Sequence, residues 1–464
     1  LGGTRRGTLR TMCNKLLVFL ATGLWHGNGL TFVLWGLWHG LWSCVETALH
    51  LPKKLERKWY GHVYTILVVI FGFALFRAAS PAQGFALWRA MLTGFHADNV
   101  CRAALSAALA PLGGLDWVRP GMKIAVKVNL ISAMRPAAAA TVHPALLTAL
   151  TELLQERGAS VVLGDSPGGL YTVAHLSRVY DVCGLRQCEQ AGAALNLDTA
   201  QTEAHAPEAV QARTFTYTRW LDDADAIIDF CKLKTHGMLA MTNACKNFFG
   251  VIPGTMKPEY HCKYPKTEDF ADMLVDLCEY FKPRLVLCDA VYAMEGNGPT
   301  QGHPRKVGAI LAAESAHKLD LAVASLLGLT AQDVPTLAAA LRRGLIPDAV
   351  GQLSISGDLA AHLVPDFVVP SMRPDTAFAG GGALGKLANG AIAAILRPYP
   401  KLHRADCVGC QKCAQICPAH AITMQSGRPS IDRKACIHCF CCQEFCPKGA
   451  MCVGRTPIAH LLNK

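Results

Sequence analysis

Eight cysteines near the C-terminus fall into two copies of one pattern: Cys407, Cys410, Cys413 and Cys417-Pro418, then Cys436, Cys439, Cys442 and Cys446-Pro447. Each copy reads C-x2-C-x2-C-x3-C-P. A thiolate is a soft ligand, and three of them at this spacing wrap a short loop around one iron-sulfur cubane while the fourth reaches the neighbouring one. The spacing therefore predicts two 4Fe-4S clusters, the first held by Cys407, Cys410, Cys413 and Cys446, the second by Cys436, Cys439, Cys442 and Cys417. Each proline restricts the cysteine before it and lacks an N–H, which helps the chain leave the loop. AITM (421–424) and GAMCV (449–453) supply apolar cover. C-x2-C pairs also serve zinc, but tandem four-cysteine copies, each ending in proline, favour iron. Cys441 and Cys452 are surplus to the count and read as ordinary thiols.

A second set of reactive residues lies upstream. Lys127, Asn129 and Ser132 accompany the β-rich run KIAVKVNLI (123–131), and the loop Gly164-Asp165-Ser166-Pro167-Gly168-Gly169 follows ASVVLGDS (159–166). DAIIDFCKL (225–233) leads into Lys232, Lys234, Thr235 and His236, then Asn243, Lys246, Asn247 and Gly250, with His261 beyond. PRLVLCDAV (283–291) leads through Asp289 to MEGNGPTQG (294–302), which contains Glu295. Lysines, amides and histidines gathered at strand ends suit a carboxylate, a phosphate or an enolate-like intermediate. Lys127, Asn129, Lys234, His236, Lys246, Asn247 and Glu295 are the candidate catalytic or binding residues of this crevice. Cys231, Cys245 and Cys262 lie close by in sequence, but their irregular spacing makes them ordinary buried cysteines rather than a third metal site.

The elements that must position these residues alternate. Helical patterns such as HPALLTALTELLQERG (143–158), with a glycine suited to end a helix, separate the β-rich runs. That order predicts an α/β domain with a largely parallel sheet and its ligand site at the strand C-terminal ends. The expected organisation is a hydrophobic helical segment over 1–94, the α/β domain over 95–370, a linker over 371–406 containing Gly380 to Gly382, and a small α+β ferredoxin-like domain over 407–464.

KVNLIS, TVHP (141–144), GDSPGG, KLKTH, ACKNFFGVIPG and MEGNGPTQG occur in this order, and together they resemble the family catalogued as domain of unknown function 362. Members of that family often carry a C-terminal ferredoxin module. Val128 stands where the family pattern has proline, leaving Lys127 and Asn129 in place. The resemblance implies an iron-sulfur protein of redox role and names no substrate. The cysteine module is similar to the bacterial two-cluster ferredoxins over about 50 residues.

Residues 1–94 are rich in Leu, Trp, Phe and Gly, with apolar stretches at Leu16–Leu24, Leu30–Val45 and Val63–Phe76. The last spans 14 residues, short of the roughly 20 that cross a bilayer untilted. Lys53, Lys54, Arg57 and Lys58 form a basic loop that favours the cytoplasmic side. No signal-peptide pattern is present. LGGTRRG, NKLLVFLATGLWHG and FVLWGLWHG resemble the C-terminal part of a membrane-bound O-acyltransferase of the alginate O-acetylation type. That resemblance makes His26 the catalytic candidate of the segment and His39 its second histidine. It also implies membrane attachment with the iron-sulfur domain in the cytoplasm; without this segment the chain reads as cytoplasmic.

Composition narrows the classes. Of the 20 cysteines, ten lie between Cys407 and Cys452, which argues for a reducing compartment rather than a disulfide scaffold. The net charge of +11 is spread along the chain without a basic run interleaved with aromatics, which sets nucleic acid aside as a partner. The leading expectation is an electron-transfer protein whose two clusters serve an α/β domain that binds an anionic small molecule, with a redox protein and a membrane as further partners. Two other readings stay open: an O-acyltransferase remnant fused to a ferredoxin-type protein, and a non-enzymatic electron carrier whose crevice docks a partner.

Overall fold

The four β-rich runs become neighbouring strands of one sheet. The computed structural model describes residues 7–27, 29–56, 58–78, 80–93, 97–369, 398–454 and 456. Most of the expected linker over 371–406, including Gly380 to Gly382, lies outside the described residues. The chain divides into two compact units, Leu1–Val100 and Cys101–Lys464.

In the second unit, β1 (Lys123–Val128), β2 (Ser160–Gly164) and β3 (Ala194–Leu195) precede a hairpin of β4 (Gln201–His205) and β5 (Thr214–Thr218). β6 (Ala226–His236), β7 (Ala240–Thr242), β8 (Leu285–Glu295) and β9 (His303–Ala313) follow. The seven-stranded sheet has the order β3-β2-β1-β6-β8-β9, with β7 paired to β6. β3, β2, β1, β6 and β8 run parallel, and β7 and β9 pair antiparallel to their neighbours. The expected largely parallel sheet is therefore present.

Its strands are apolar on both faces, as a sheet covered by helices on each side requires. Ile124, Val126, Val128, Ile228, Phe230, Leu285 and Leu287 belong to one core, shared with the helices Pro144–Gln155 and Val173–Cys183. Ala125, Cys231, Leu233, Val286 and Cys288 belong to the other, shared with the helices Thr267–Phe281, Ala316–Leu326 and Pro335–Arg342. The helix Pro144–Gln155 starts as its sequence predicts: Pro144 occupies the first turn and the His143 side chain accepts the Ala145 N–H at 3.3 Å. Gly158 follows it at φ +79°, a conformation that favours glycine.

The C-terminal module is built on two short antiparallel pairs. β10 (Tyr399–Leu402) pairs with β13 (Met451–Gly454), and β11 (Ile422–Gln425) pairs with β12 (Arg428–Ile431). Two short helices, Lys412–Gln415 and Cys441–Glu444, carry cysteines of the two motifs.

The first unit is helical: Thr8–His26, Leu30–Leu49, Leu51–Leu55, Trp59–Arg77 and Pro81–Thr93. Glycines let its first two long helices meet backbone to backbone, because a Cβ on Gly36 would overlap the Phe19 carbonyl. The apolar stretch at Val63–Phe76 sits within a longer helix than the sequence suggests. Trp59–Arg77 has 19 residues and a mean hydropathy of 1.7, about 28 Å at 1.5 Å per residue. It is the one helix among the described residues long and apolar enough to cross a membrane, by length and composition.

Candidate functional site

The two cysteine motifs fold alike. Gly409 and Gln411 in the first and His438 and Phe440 in the second occupy equivalent positions, and all four have positive φ, between 58° and 69°. Each loop curls so that its thiols turn inward. Cys407, Cys410, Cys413 and Cys446 line one cavity together with Leu402, Met424, Ala450 and Met451. Cys417, Cys436, Cys439 and Cys442 line a second, with Pro400 and Ile422. The fourth cysteine of each motif thus stands with the first three of the other. Four convergent thiols and an apolar wall fit a cubane in each cavity. The Ala421 N–H also points at Cys417 Sγ, at 3.3 Å. Cys441 is buried in its helix and Cys452 bonds the Lys401 carbonyl; neither lines a cluster cavity.

The polar residues at the strand ends form two networks, one on each face. Lys127 shares the face of Ala125, and its ammonium lies 2.7 Å from Asp165, with both side chains buried. Asp165 also accepts the backbone N–H groups of Leu130 and Ser166, at 2.8 and 2.9 Å. Asn247 closes this network: its Nδ2 donates to Asp229 Oδ1 at 2.6 Å, and its Oδ1 accepts from Asn129 at 2.8 Å and from Lys127 at 3.3 Å. Burial pushes the Asp229 carboxyl well above the usual carboxylate range. Gly250 packs so close that a Cβ would overlap Asp165 and Lys127.

Lys232, on the face of Ile228 and Phe230, pairs with Asp289 at 2.8 Å, and Asp289 also accepts the His143 N–H at 2.9 Å. Asn129 joins the remaining pieces, since its Oδ1 accepts from Lys234, which also donates to the Ala140 carbonyl at 2.6 Å. Burial and the neighbouring lysines 246 and 232 push Lys234 down to about 7. The sequence pattern suggests a single crevice lined by all these groups. The structure instead places Lys127 and Lys232 on opposite faces, each bound to its own carboxylate, because residues of opposite parity on parallel strands point opposite ways.

Lys246 is different. No hydrogen bond or ion pair reaches it among the described residues; its ammonium lies over the Phe249 ring at 5.6 Å from the centroid, where that of Lys257 also lies at 5.9 Å. His261 packs against the same ring at 5.8 Å. Lys257 donates to the Ser166 carbonyl. Burial lowers the pKa of both lysines, bringing Lys257 to about 7, and the charge of Lys246 adds to the lowering at Lys257.

The iron-sulfur module closes over this corner. Glu444, in the helix Cys441–Glu444 just before the second motif's last cysteine, places its Oε1 2.8 Å from His236 Nε2. His236 Nδ1 accepts the N–H groups of Met238 and Leu239, at 3.1 and 3.2 Å, which fixes the neutral tautomer with its proton on Nε2. The Glu444 carboxyl is held down at about 2: burial opposes this, and the His236 bond with the nearby charges of Lys246 and His261 outweighs it. The MEGNGPTQG segment is a seat for the module. Thr300 donates to the Glu444 carbonyl at 3.0 Å, Gln301 to the Cys446 carbonyl at 2.9 Å, and Gln443 to the carbonyls of Asn297 and Gly298, both at 2.8 Å.

Of the sequence candidates, Lys127, Asn129, Lys234 and Asn247 are brought together, and His236 and Lys246 meet beside Glu444. Glu295 is not among them: its carboxylate accepts the Val368 N–H at 3.2 Å and lies 4.0 Å from Arg305, at the far end of β8. His26 is exposed in the first unit, its ring against Trp25, Trp35 and Phe76, and His39 packs on Trp35. Sequence reasoning missed Asp165 as the partner of Lys127, together with Lys257 and Glu444. An acidic residue inside a GDSPGG loop was a usable signal for the first; for Glu444, two residues from Cys442 and Cys446, nothing in the spacing gives its direction.

Fold and cysteine geometry define an iron-sulfur protein, an α/β domain joined to a ferredoxin-type module. Comparisons with known families agree. Residues 124–325 match the family described as domain of unknown function (DUF362), and residues 399–447 match the 4Fe-4S dicluster domain. The chain is 35% identical over 255 residues to the "Thylakoid-associated protein sll1697" of Synechocystis, covering 53% of this chain and 76% of that protein. It belongs to the DUF362 family.

Part of the chain is also similar to another group. It is 35% identical over 138 residues to the "Probable alginate O-acetylase AlgI" of Pseudomonas putida, and 39% over 97 residues to that of Pseudomonas aeruginosa. These matches span 27% and 18% of those proteins. Among solved structures, the lactate racemase apoprotein from Thermoanaerobacterium thermosaccharolyticum overlaps 50% of this chain at 10% identity, with a TM-score of 0.35.

Proposed function

We propose that the chain is an electron-transfer protein in which two 4Fe-4S clusters serve a small-anion site beside Lys246 in the α/β domain. Cys407, Cys410, Cys413 and Cys446 hold the first cluster, and Cys436, Cys439, Cys442 and Cys417 the second. When bound, the clusters supply one-electron transfer. The observation that carries the reading is the Glu444–His236 contact, which puts a residue of the second cluster's own helix into the cationic corner of the sheet. An anion bound there lies within reach of both the crevice and the cluster loop. Lys246 and Lys257 converge on one ring without a carboxylate within salt-bridge distance among the described residues, and an anion between them relieves their mutual repulsion. Buried polar atoms without hydrogen-bond partners among the described residues, Ser166 Oγ and His261 Nδ1, add hydrogen-bonding capacity in the same neighbourhood. A redox partner protein completes the pathway, and the helix Trp59–Arg77 with its acyltransferase-like surroundings attaches the chain to a membrane.

A second reading has one observation behind it. Glu444 is itself an anion in this corner, so the lysines also suit a socket that does no more than seat the module. Sulfate, which does not titrate near neutrality, separates the two. Calorimetry on the anaerobic holoprotein is expected to show sulfate binding that Lys246→Ala abolishes. Lys257 faces Asp165, Lys127, Lys246 and Glu444 and gains its proton as pH falls through about 7. Affinity is therefore highest below that pH and weakens by up to about tenfold per unit above it. Absence of binding at pH 6 leaves only the socket.

A further inference from the structure

Three buried donors converge behind the crevice, away from the cluster motifs. Cys245 in the helix Ala244–Asn247, Cys278 in Thr267–Phe281 and His317 in Ala316–Leu326 place one ligand atom each within 4.8 Å of one another. None is more than 3% exposed. A borderline-soft divalent ion draws such a set together, with about 2.3 Å to sulfur and 2.0–2.1 Å to imidazole nitrogen.

The second layer is also in place. Glu279 Oε1 bonds His317 Nε2 at 2.9 Å, which fixes the ring and leaves Nδ1, buried and without a hydrogen-bond partner among the described residues. A carboxylate behind one ring nitrogen with the other left over is the usual support of a ligating histidine. Asp320 accepts the N–H groups of Ala244 and Cys245, at 2.8 and 3.0 Å, and so holds the backbone that carries one of the thiols. Asp229, Glu279 and Asp320 all act electrostatically on these thiols. A buried region this rich in acidic groups favours a cation.

We propose that Cys245, Cys278 and His317 bind one zinc ion through two thiolates and one imidazole. Binding releases two thiol protons and leaves the ion with its two thiolates neutral, which suits a buried site. Two thiolates and a nitrogen select zinc over the hard cations magnesium and calcium. The ion enters during folding and ties together three helices of the second core. Its consequence for the crevice is direct, because Lys246 and Asn247 follow Cys245 in the same turn.

The test is metal analysis with zinc K-edge X-ray absorption on holoprotein purified anaerobically from zinc-supplemented cells. About one zinc per chain is expected, with a mixed sulfur and nitrogen shell at about 2.3 and 2.0–2.1 Å. Cys278→Ser and His317→Gln should each lower the zinc content at least tenfold and leave the iron content unchanged. Wild-type protein without zinc overturns the proposal. So does a sulfur-only shell that both variants retain, which places the zinc in the cluster motifs, or a disulfide joining Cys245 to Cys278 in the freshly isolated chain.

Discussion

Replacing Cys417 by alanine is expected to remove the cluster held by the second cysteine motif, although Cys417 closes the first. Cys417 lines the cavity of Cys436, Cys439 and Cys442, and Cys446 lines that of Cys407, Cys410 and Cys413. A cubane left with three thiolates is labile, so iron should fall from about eight atoms per chain to about four. Cys446→Ala should empty the other cavity to the same extent. The reduced wild type should show the broadened EPR signal of two interacting clusters, and each variant the simpler signal of one. Comparison of Cys417→Ala with Cys413→Ala settles the crossing. The two should lose different clusters, although their cysteines belong to the same motif; loss of the same cluster contradicts the arrangement.

Lys127→Ala is expected to have the next largest effect, and on stability rather than on ligand binding. The Lys127–Asp165 pair is buried on both sides. Removing the ammonium leaves the buried Asp165 carboxylate among the Leu130 and Ser166 amides without its ion-pair partner, a change that costs about 3–5 kcal/mol. Lys127→Met keeps most of the side chain's volume and should lose nearly as much, because charge and not space is missing. Chemical denaturation read by far-ultraviolet circular dichroism should show a lower midpoint at an unchanged slope. The double variant Lys127→Met/Asp165→Leu, which leaves neither charge, should recover part of the loss. No change in midpoint for Lys127→Ala would mean that the pair is not buried in solution.

Much of the fold was legible in the sequence, for reasons particular elements make plain. The strands β1, β2, β6 and β8 are runs of Val, Ile, Leu and Phe between helical patterns, and a parallel sheet covered on both faces needs that texture. The cluster cysteines were legible because a metal fixes their spacing, and the two cavities collect them in crossed sets of four. What the sequence concealed depends on direction. Lys232 and Lys127 both stand near strand ends, but their opposite parity sends them to different faces. β6 continues to His236, so Lys234 and His236 lie within a strand rather than in a loop beyond one. Glu295 ends β8 and turns toward Val368 and Arg305. The pairing of Cys245 with Cys278 and His317 joins three helices far apart in the chain, and no local pattern announces it. MEGNGPTQG looked like part of a ligand site, and its amides and carbonyls hold the iron-sulfur module instead.

The central claim is that the crevice and the second cluster act on each other through Glu444. Spectroelectrochemical titration of the holoprotein, with and without saturating sulfate, tests it most directly. The midpoint potential of the second cluster should fall when sulfate binds, since added negative charge nearby opposes reduction, and that of the first should change less. In Lys246→Ala the sulfate-dependent shift should disappear while the sulfate-free potentials stay distinct for the two clusters. Two unchanged potentials in the wild type, under conditions where calorimetry shows sulfate bound, would contradict the account.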